Sequence, residues 1–296
     1  MSAKRIQAGD PDRRVRQAKP LLKWVGGKTQ LLPVILKEID RLHPGPIDQY
    51  YEPFLGGAAV FFALARLRRL KSAILSDSNE ELINFYEAVQ SSPASLIRAL
   101  ARLKKKGFGE SRYYEVRDVV PRSEIGRAAR FLYINKCGYN GLWRVNQKAI
   151  CNVPYGHHKI PPTILDEEAI WSAHYALACA ELRWAPFWSV DIFNLPATFV
   201  YFDPPYWPTR PTANFTSYTA FGFTKGHQQE LARWMREIAR HRIPVLLSNS
   251  DVPETRELYH GLKIKTVQAR RNVNSVGSGR GAVSEILVSS ETKRGE

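Results

Sequence analysis

Sulfur is scarce in this chain: 296 residues include three cysteines, Cys137, Cys151 and Cys179, and two methionines. Cysteines at such irregular spacing make neither a disulfide framework nor a zinc site. They read as ordinary reduced residues of a cytoplasmic protein. Long apolar runs are missing too. No segment approaches the ~18 uninterrupted residues of a membrane helix. No basic amphipathic helix dominates, so no membrane partner is expected. There is no internal repeat and no low-complexity tract. His157 and His158 have no acid at metal-ligand spacing, so no metal is expected; both read as surface or phosphate-facing residues. Acids are in deficit, 28 against 43 lysines and arginines, which leaves a net charge of +15 and a pI near 9.8. Such an imbalance points to a polyanionic partner, nucleic acid first. The first 19 residues lack the apolar core of a secretory signal. Residues 1–18 read as a disordered basic arm whose Arg13, Arg14 and Arg16 could touch phosphate.

What is present suits one large domain, or one domain with a second inserted. A 44% hydrophobic fraction allows a real core. Strand patterns fall at Gln49–Glu52, Ala73–Ser76, Glu181–Trp184, Phe199–Phe202, Pro244–Ser248, Ile264–Gln268 and Glu285–Val288. Helical patterns lie between several of them, which predicts an α/β sheet of about seven strands. The clearest helix covers Gly226–His241, with Leu231, Trp234, Met235 and Ile238 on one core-facing stripe. Residues 79–163 differ from the rest. They show helical patterns at Glu80–Gln90, Ala94–Lys106 and Glu124–Asn135, then a glycine-, asparagine- and aromatic-rich hairpin over 136–156. This stretch reads as an inserted, mostly helical module within a domain made of 19–78 and 164–296. Between positions 98 and 130, ten bases (Arg98, Arg102, Lys104, Lys105, Lys106, Arg112, Arg117, Arg122, Arg127 and Arg130) face four acids. A charge run of this kind is either a solvated helix face or a phosphate surface. Beside a hairpin carrying Asn, Arg and Tyr, the second is the better reading.

The chemistry concentrates in a few segments. Asp203-Pro204-Pro205-Tyr206 follows the apolar strand Phe199–Phe202. Two prolines stop the strand and stiffen the turn, so an acid and an aromatic ring stand at a strand end, where open α/β sheets bind ligands. By itself the tetrapeptide reads equally as a proline-rich turn or as a site for methylating an exocyclic amine. For the second reading, a carboxylate and a backbone carbonyl would localise the amine lone pair and the ring would hold an unstacked base. A second segment, Glu52-Pro53-Phe54-Leu55-Gly56-Gly57, joins a strand end to an apolar helix over Val60–Leu67 and lets a ligand approach the backbone. Asp77 follows the glycines by about twenty residues, the spacing of an acid that bonds ribose hydroxyls. A third segment, Lys23-Trp24-Val25-Gly26-Gly27-Lys28, ends like a phosphate-binding loop. However, Leu22 stands where that motif needs its first glycine, so an NTPase is disfavoured.

Taken in order, these segments resemble the DNA adenine methylase (Dam) family, amino-N6 methyltransferases of the alpha order. Asn140-Gly141-Leu142-Trp143-Arg144, Asn152-Val153-Pro154-Tyr155-Gly156, Ala213–Tyr218, Ser248-Asn249 and Arg270-Arg271-Asn272 extend the likeness across residues 19–288. The resemblance implies a Rossmann-like S-adenosylmethionine-dependent sheet with an inserted DNA-recognition module and β-hairpin. It implies no metal, because a sulfonium already makes its methyl group electrophilic. Trp24, Lys28, Phe54, Gly56, Asp77 and Asp203 match cofactor-contacting positions. Asp203, Pro204, Pro205 and Tyr206 match the catalytic loop, with Tyr206 against a flipped adenine and the Pro204 carbonyl sharing the amine hydrogens with Asp203. On the DNA side, Tyr139 matches an intercalating tyrosine and Asn140 a residue filling the space of the flipped base. Lys23 matches the reader of the first guanine; Leu142, Arg144 and Pro154 match base readers of GATC enzymes.

The chain departs from the family's pattern at Ala58, where many relatives carry a second or third glycine, and at Ala149 and Cys151 in the hairpin. Trp207 adds bulk beside Tyr206. The resulting expectation is methyl transfer to adenine N6 within GATC of double-stranded DNA, by a monomer in the cytoplasm of a bacterium or encoded by a phage. The sequence leaves open a restriction-modification partner or an orphan regulator. Rivals are the same chemistry on cytosine N4 or RNA adenine, and a catalytically silent DNA-binding protein.

Overall fold

A computed structural model describes residues 10–24, 26–146, 148, 150–194, 198–208, 223–270 and 282–292. Within them the chain runs α1 (Pro11–Val15), α2 (Leu32–Leu42), β1 (Ile47–Glu52), α3 (Ala59–Arg66), β2 (Leu70–Asp77), α4 (Glu80–Ser91), α5 (Pro93–Lys105), α6 (Glu110–Asp118) and α7 (Glu124–Cys137). It continues through α8 (Glu167–Leu177), β3 (Ala180–Trp184), β4 (Thr198–Phe202), α9 (Lys225–Arg240), β5 (Val245–Ser250), α10 (Pro253–Leu258), β6 (Leu262–Arg270) and β7 (Ala282–Thr292). The strands form one mixed sheet in the order β3-β2-β1-β4-β5-β7-β6. Neighbours from β3 to β5 are parallel, while β7 runs antiparallel between β5 and β6. All seven expected strands are present. The fold is α/β and Rossmann-like.

Alternation along the strands divides the core between the two sheet faces. Tyr50, Leu75, Tyr201 and Leu246 join the cluster on one face; Tyr51, Ile74, Val200, Phe202 and Leu247 join the other. The second cluster is covered by α9 through Leu231, Met235 and Ile238, and by Phe187, Val190 and Ile192 ahead of β4. The first also contains Leu96 and Leu100 of α5, Phe131 of α7, and Trp143 and Val153 of the hairpin segment. Residues 79–163 therefore share one continuous core with the sheet. Fully burying a large apolar side chain contributes roughly 1.5–3 kcal/mol, so Phe131 and Trp143 stabilise sheet and insert together.

Helix starts follow side-chain caps. Asn79, Ser123 and Asp166 accept the N–H of Leu82, Gly126 and Ala169 at the heads of α4, α7 and α8. The arm departs from the sequence expectation. Residues 11–15 are helical, Asp10 caps them, Ala18 is buried and Asp12 pairs with Arg68. Tertiary contact orders a stretch that composition marks as disordered; residues 1–9 lie outside the described residues. Among the described residues no helix is long and apolar enough to cross a membrane.

Candidate active site and nucleic-acid interface

The strand order places the site. Strand β1 sits between β2 and β4: the chain steps outward from β1 to β2 and β3 and then returns to β4 on the other side, the reversal of strand order at which open α/β sheets bind ligands. The turn after β1 and the loop after β4 lie at that switch point. Asp203 begins the second loop, and its Oδ1 meets Lys28 Nζ at 2.7 Å and accepts from Ser248 Oγ at 2.9 Å. Lys28 is buried, in a one-turn helix over Lys28–Gln30, and its ammonium also reaches the Gly26 carbonyl. The same ammonium stands 4.6 Å from the Tyr206 ring centroid, over its face. Among the described residues Asp203 Oδ2 has no hydrogen-bond partner.

The rest of the loop is pinned along its length. Gln228 of α9 donates to the Pro205 carbonyl at 2.7 Å, and Asn249 of β5 donates to Gln228. The Trp207 N–H donates to Asn249 Oδ1, and Ser250 Oγ donates to the Trp207 carbonyl. Tyr206 donates its hydroxyl to Glu285 Oε2 of β7 at 2.6 Å. Burial first, then the carboxylates of Asp203 and Glu285, push the Tyr206 phenol well above its ordinary pKa. It therefore remains a donor at neutral pH. The loop's backbone and ring orientation are set by three other elements rather than by the loop itself.

On the β1 side, the Tyr86 hydroxyl of α4 donates to the Gly56 carbonyl. Gly56 has φ +46°, and a Cβ there would lie 2.6 Å from the Trp24 Nε1. Only glycine admits the indole so closely. Ala58 adopts φ +56° at the head of α3, a left-handed conformation that alanine rarely takes. Asp77 ends β2 and accepts the N–H groups of Gly56 and Asn79, 3.1 and 3.0 Å away. Burial raises it to about 6 against the backbone N–H groups of Gly56, Asn79 and Ser78. Phe54 stacks on Phe187 at 5.4 Å between ring centroids and meets Phe202 and Phe223 edge-on. Glu52 is buried beneath the turn, accepts from Tyr50 at 2.9 Å, and is pushed up to about 8 by desolvation.

The expected DNA-facing residues gather on a separate surface. Two antiparallel bridges, Gly138 with Tyr155 and Val145 with Cys151, draw an open hairpin after α7. The Tyr139 N–H donates to the Pro154 carbonyl, which sets these two side by side. Tyr139, Asn140, Arg144 and Pro154 are exposed, Leu142 is half-buried, and Lys23 is exposed next to them. Arg144 donates to the Asn152 side chain and carbonyl across the hairpin. Ala149 lies outside the described residues, as do Ala213–Tyr218, Arg271 and Asn272.

A profile of the D12 class N6 adenine-specific DNA methyltransferases matches residues 24–273. The chain belongs to that family. It is 39% identical to the type II methyltransferase M.MjaIII of Methanocaldococcus jannaschii, over 92% of this chain and 99% of that protein. It is 37% identical to the type II methyltransferase M1.LlaDCHI of Lactococcus lactis, over 91% and 94%. It is 34% identical to the DNA adenine methylase of Escherichia coli, over 92% and 95%. Membership in a methyltransferase family implies S-adenosylmethionine as methyl donor, and the D12 class implies DNA as substrate.

Several residues of this D12 chain escape a reading of motifs. Gln228 of α9 and Glu285 of β7 hold the loop after β4 alongside Ser248 and Asn249 of β5, yet nothing in the local sequence of Gln228 or Glu285 marks them. Asn135 is fully buried, accepts the Lys23 N–H at 2.9 Å, and donates to the Lys23 and Gly141 carbonyls. Its one signal is a polar amide within the apolar run Phe131–Ile134. The basic run also divides. Arg98, Arg102, Lys104, Lys105, Lys106 and Arg122 are exposed. Arg130 is buried, donating to the carbonyls of Val116 and Arg117. Arg127 pairs with Glu80 and Glu81, Arg112 with Glu115, and Arg117 with Asp118. These four build the insert. His158 is half-buried with Nε2 3.0 Å from the Cys137 carbonyl, so it too belongs to the scaffold.

Proposed function

We propose that this chain methylates N6 of adenine within GATC of double-stranded DNA, acting on a base flipped out of the duplex. The observation that carries the reading is the state of Asp203. Its Oδ1 is engaged by Lys28 and Ser248, while Oδ2 has no partner among the described residues. It stands beside a ring whose hydroxyl is held by Glu285. An exocyclic amine is a weak nucleophile because its lone pair is delocalised into the base. Accepting its two hydrogens at Asp203 Oδ2 and the Pro204 carbonyl localises that pair, and such preorganised acceptors lower the barrier. Tyr206 offers an aromatic face for the unstacked base.

The residues fit the donor the family implies. Asp77 accepts backbone N–H bonds from Gly56 and Asn79, so its carboxylate keeps lone pairs for ribose hydroxyls. Trp24, Phe54 and the Gly56 turn would enclose the nucleoside, and Lys28 would orient Asp203 toward it. When bound, the sulfonium supplies an electrophilic methyl group, and that is its whole chemical contribution. A flipped base requires a plug in the duplex; exposed Tyr139 and Asn140 would provide it. Arg144 suits bidentate bonding to guanine O6 and N7, with Lys23, Leu142 and Pro154 completing the readout. A single polypeptide carries the complete set, which suits action as a monomer.

The test is single-molecule sequencing of plasmid DNA from a methylation-free host expressing the chain. Methyladenine confined to GATC is expected. Methyl groups at another adenine motif would discard the hairpin assignments and keep the chemistry at Asp203. Methylated cytosine, or no modification with cofactor bound, would overturn the reading.

A further inference from the structure

We propose that Asn135 is a positioning residue that sets Lys23 against the hairpin loop for base reading; this rests on the reader role assigned to Lys23 above. The Asn135 side chain is fully buried on α7 and uses its amide completely on backbone. Its Oδ1 accepts the Lys23 N–H at 2.9 Å. Its amide nitrogen donates to the Lys23 carbonyl at 2.7 Å and to the Gly141 carbonyl at 3.2 Å. One side chain thus grips both polar groups of Lys23 and the loop that carries Tyr139 and Asn140.

The surroundings make this grip specific. Gly141 has φ +66°, and a Cβ there would lie 2.8 Å from the Lys23 carbonyl oxygen and closer still to Lys23 Cβ. Hairpin loop and Lys23 backbone are therefore in direct contact, with no room for a side chain between them. The hairpin is held on its other flank by Gly138 N–H to the Ile134 carbonyl, one residue before Asn135. Five residues beyond Lys23, Lys28 Nζ touches Asp203. Asn135 fixes the hairpin loop and the Lys23 backbone in one register. Asparagine suits this place because it offers an acceptor and two donors in one plane. Aspartate keeps the acceptor and loses both donors.

The experiment measures kcat/KM on duplexes containing GATC and on duplexes with the first guanine pair replaced. Wild type is compared with Asn135→Ser, Asn135→Asp, Lys23→Ala and the Lys23→Ala/Asn135→Ser double variant. Thermal unfolding and cofactor titration run alongside. Lys23→Ala is expected to lose roughly tenfold in discrimination at that pair, the order of one good base contact. Both Asn135 variants should lose a comparable factor while binding cofactor normally, and the double variant should lose no more than Lys23→Ala alone. Gly141→Ala presses on the same contact from the hairpin side and should show the same loss, which keeps the proposal testable where an Asn135 variant does not fold. Folded Asn135 variants with wild-type discrimination overturn the inference alone. So does an equal loss on all duplexes, which marks a purely structural residue. Unchanged discrimination in Lys23→Ala discards the reader role, and the inference with it.

Discussion

The loop after β4, proposed to carry the chemistry, and the hairpin after α7, proposed to read DNA, are held differently. Asp203, Pro205, Tyr206 and Trp207 each have a partner on a different strand or helix, from Lys28, Ser248 and Asn249 to Gln228 and Glu285. The hairpin after α7 has two isolated bridges, a buried amide at its base and bonds from Tyr113 and Arg117 to the Val153 carbonyl, while Tyr139, Asn140 and Arg144 are exposed and Arg144 bonds within the hairpin, to Asn152. Chemistry on a weakly nucleophilic amine demands acceptors fixed before the substrate arrives. Reading a duplex demands side chains free to meet base edges and phosphates. Under the proposed function, one fold would meet both demands by building the first on the sheet and the second on an outgrowth that shares its core.

This contrast can be broken at the catalytic end first. Asp203→Ala removes the acceptor and leaves Lys28 without its carboxylate; single-turnover methylation should fall on the order of 10²–10³-fold while DNA binding persists. Retention of more than about a tenth of the wild-type rate would sink the role given to Asp203. At the hairpin, Arg144→Ala should cost about 1–3 kcal/mol of discrimination at one base pair and leave near-cognate methylation largely intact. A uniform loss across all duplexes would show that Arg144 meets phosphate instead.

Smaller effects sharpen the same division. Asp77→Ala should weaken cofactor binding more than it slows a saturated turnover, because contacts to ribose change little between ground and transition state. An unchanged dissociation constant by calorimetry would remove Asp77 from the site. The smallest effect concerns pH. Desolvation raises Glu52 from 4.5 to about 8, so the folded chain holds this proton more tightly than the unfolded one. Its stabilising contribution is full below pH 4.5 and is lost as pH rises through about 8. Glu52→Gln has no proton to lose, and its thermal midpoint should exceed wild type by a few degrees above that pH. Parallel pH profiles for the two proteins would show that Glu52 ionises without cost.

Much of the architecture was legible because it rests on local chemistry. Strands such as Phe199–Phe202 announce themselves by apolar runs, and the prolines after Asp203 and the glycines after Glu52 mark where the chain turns at the sheet's edge. The seven strand segments, the amphipathic α9 and the ordered motifs of an N6-adenine methyltransferase family needed no more than that. Charge composition was read less well. Arg112, Arg117, Arg127 and Arg130 count toward a basic surface in sequence, yet in the fold they pair with acids or carbonyls inside the insert.

What the sequence determined by itself is therefore the element types, their order and the reactive segments, since periodicity, backbone restriction and side-chain chemistry act over a few residues. Only the tertiary structure decided which partners complete the site. Glu285 follows Tyr206 by 79 residues and Asn135 follows Lys23 by 112. No local pattern links residues so far apart; a hydrogen bond between them exists because β7 inserts beside β5 and α7 packs under the segment leading to Lys28. The same burial that brings these polar groups together obliges each to find a partner, and the fold, through its sheet order and shared core, decides which one.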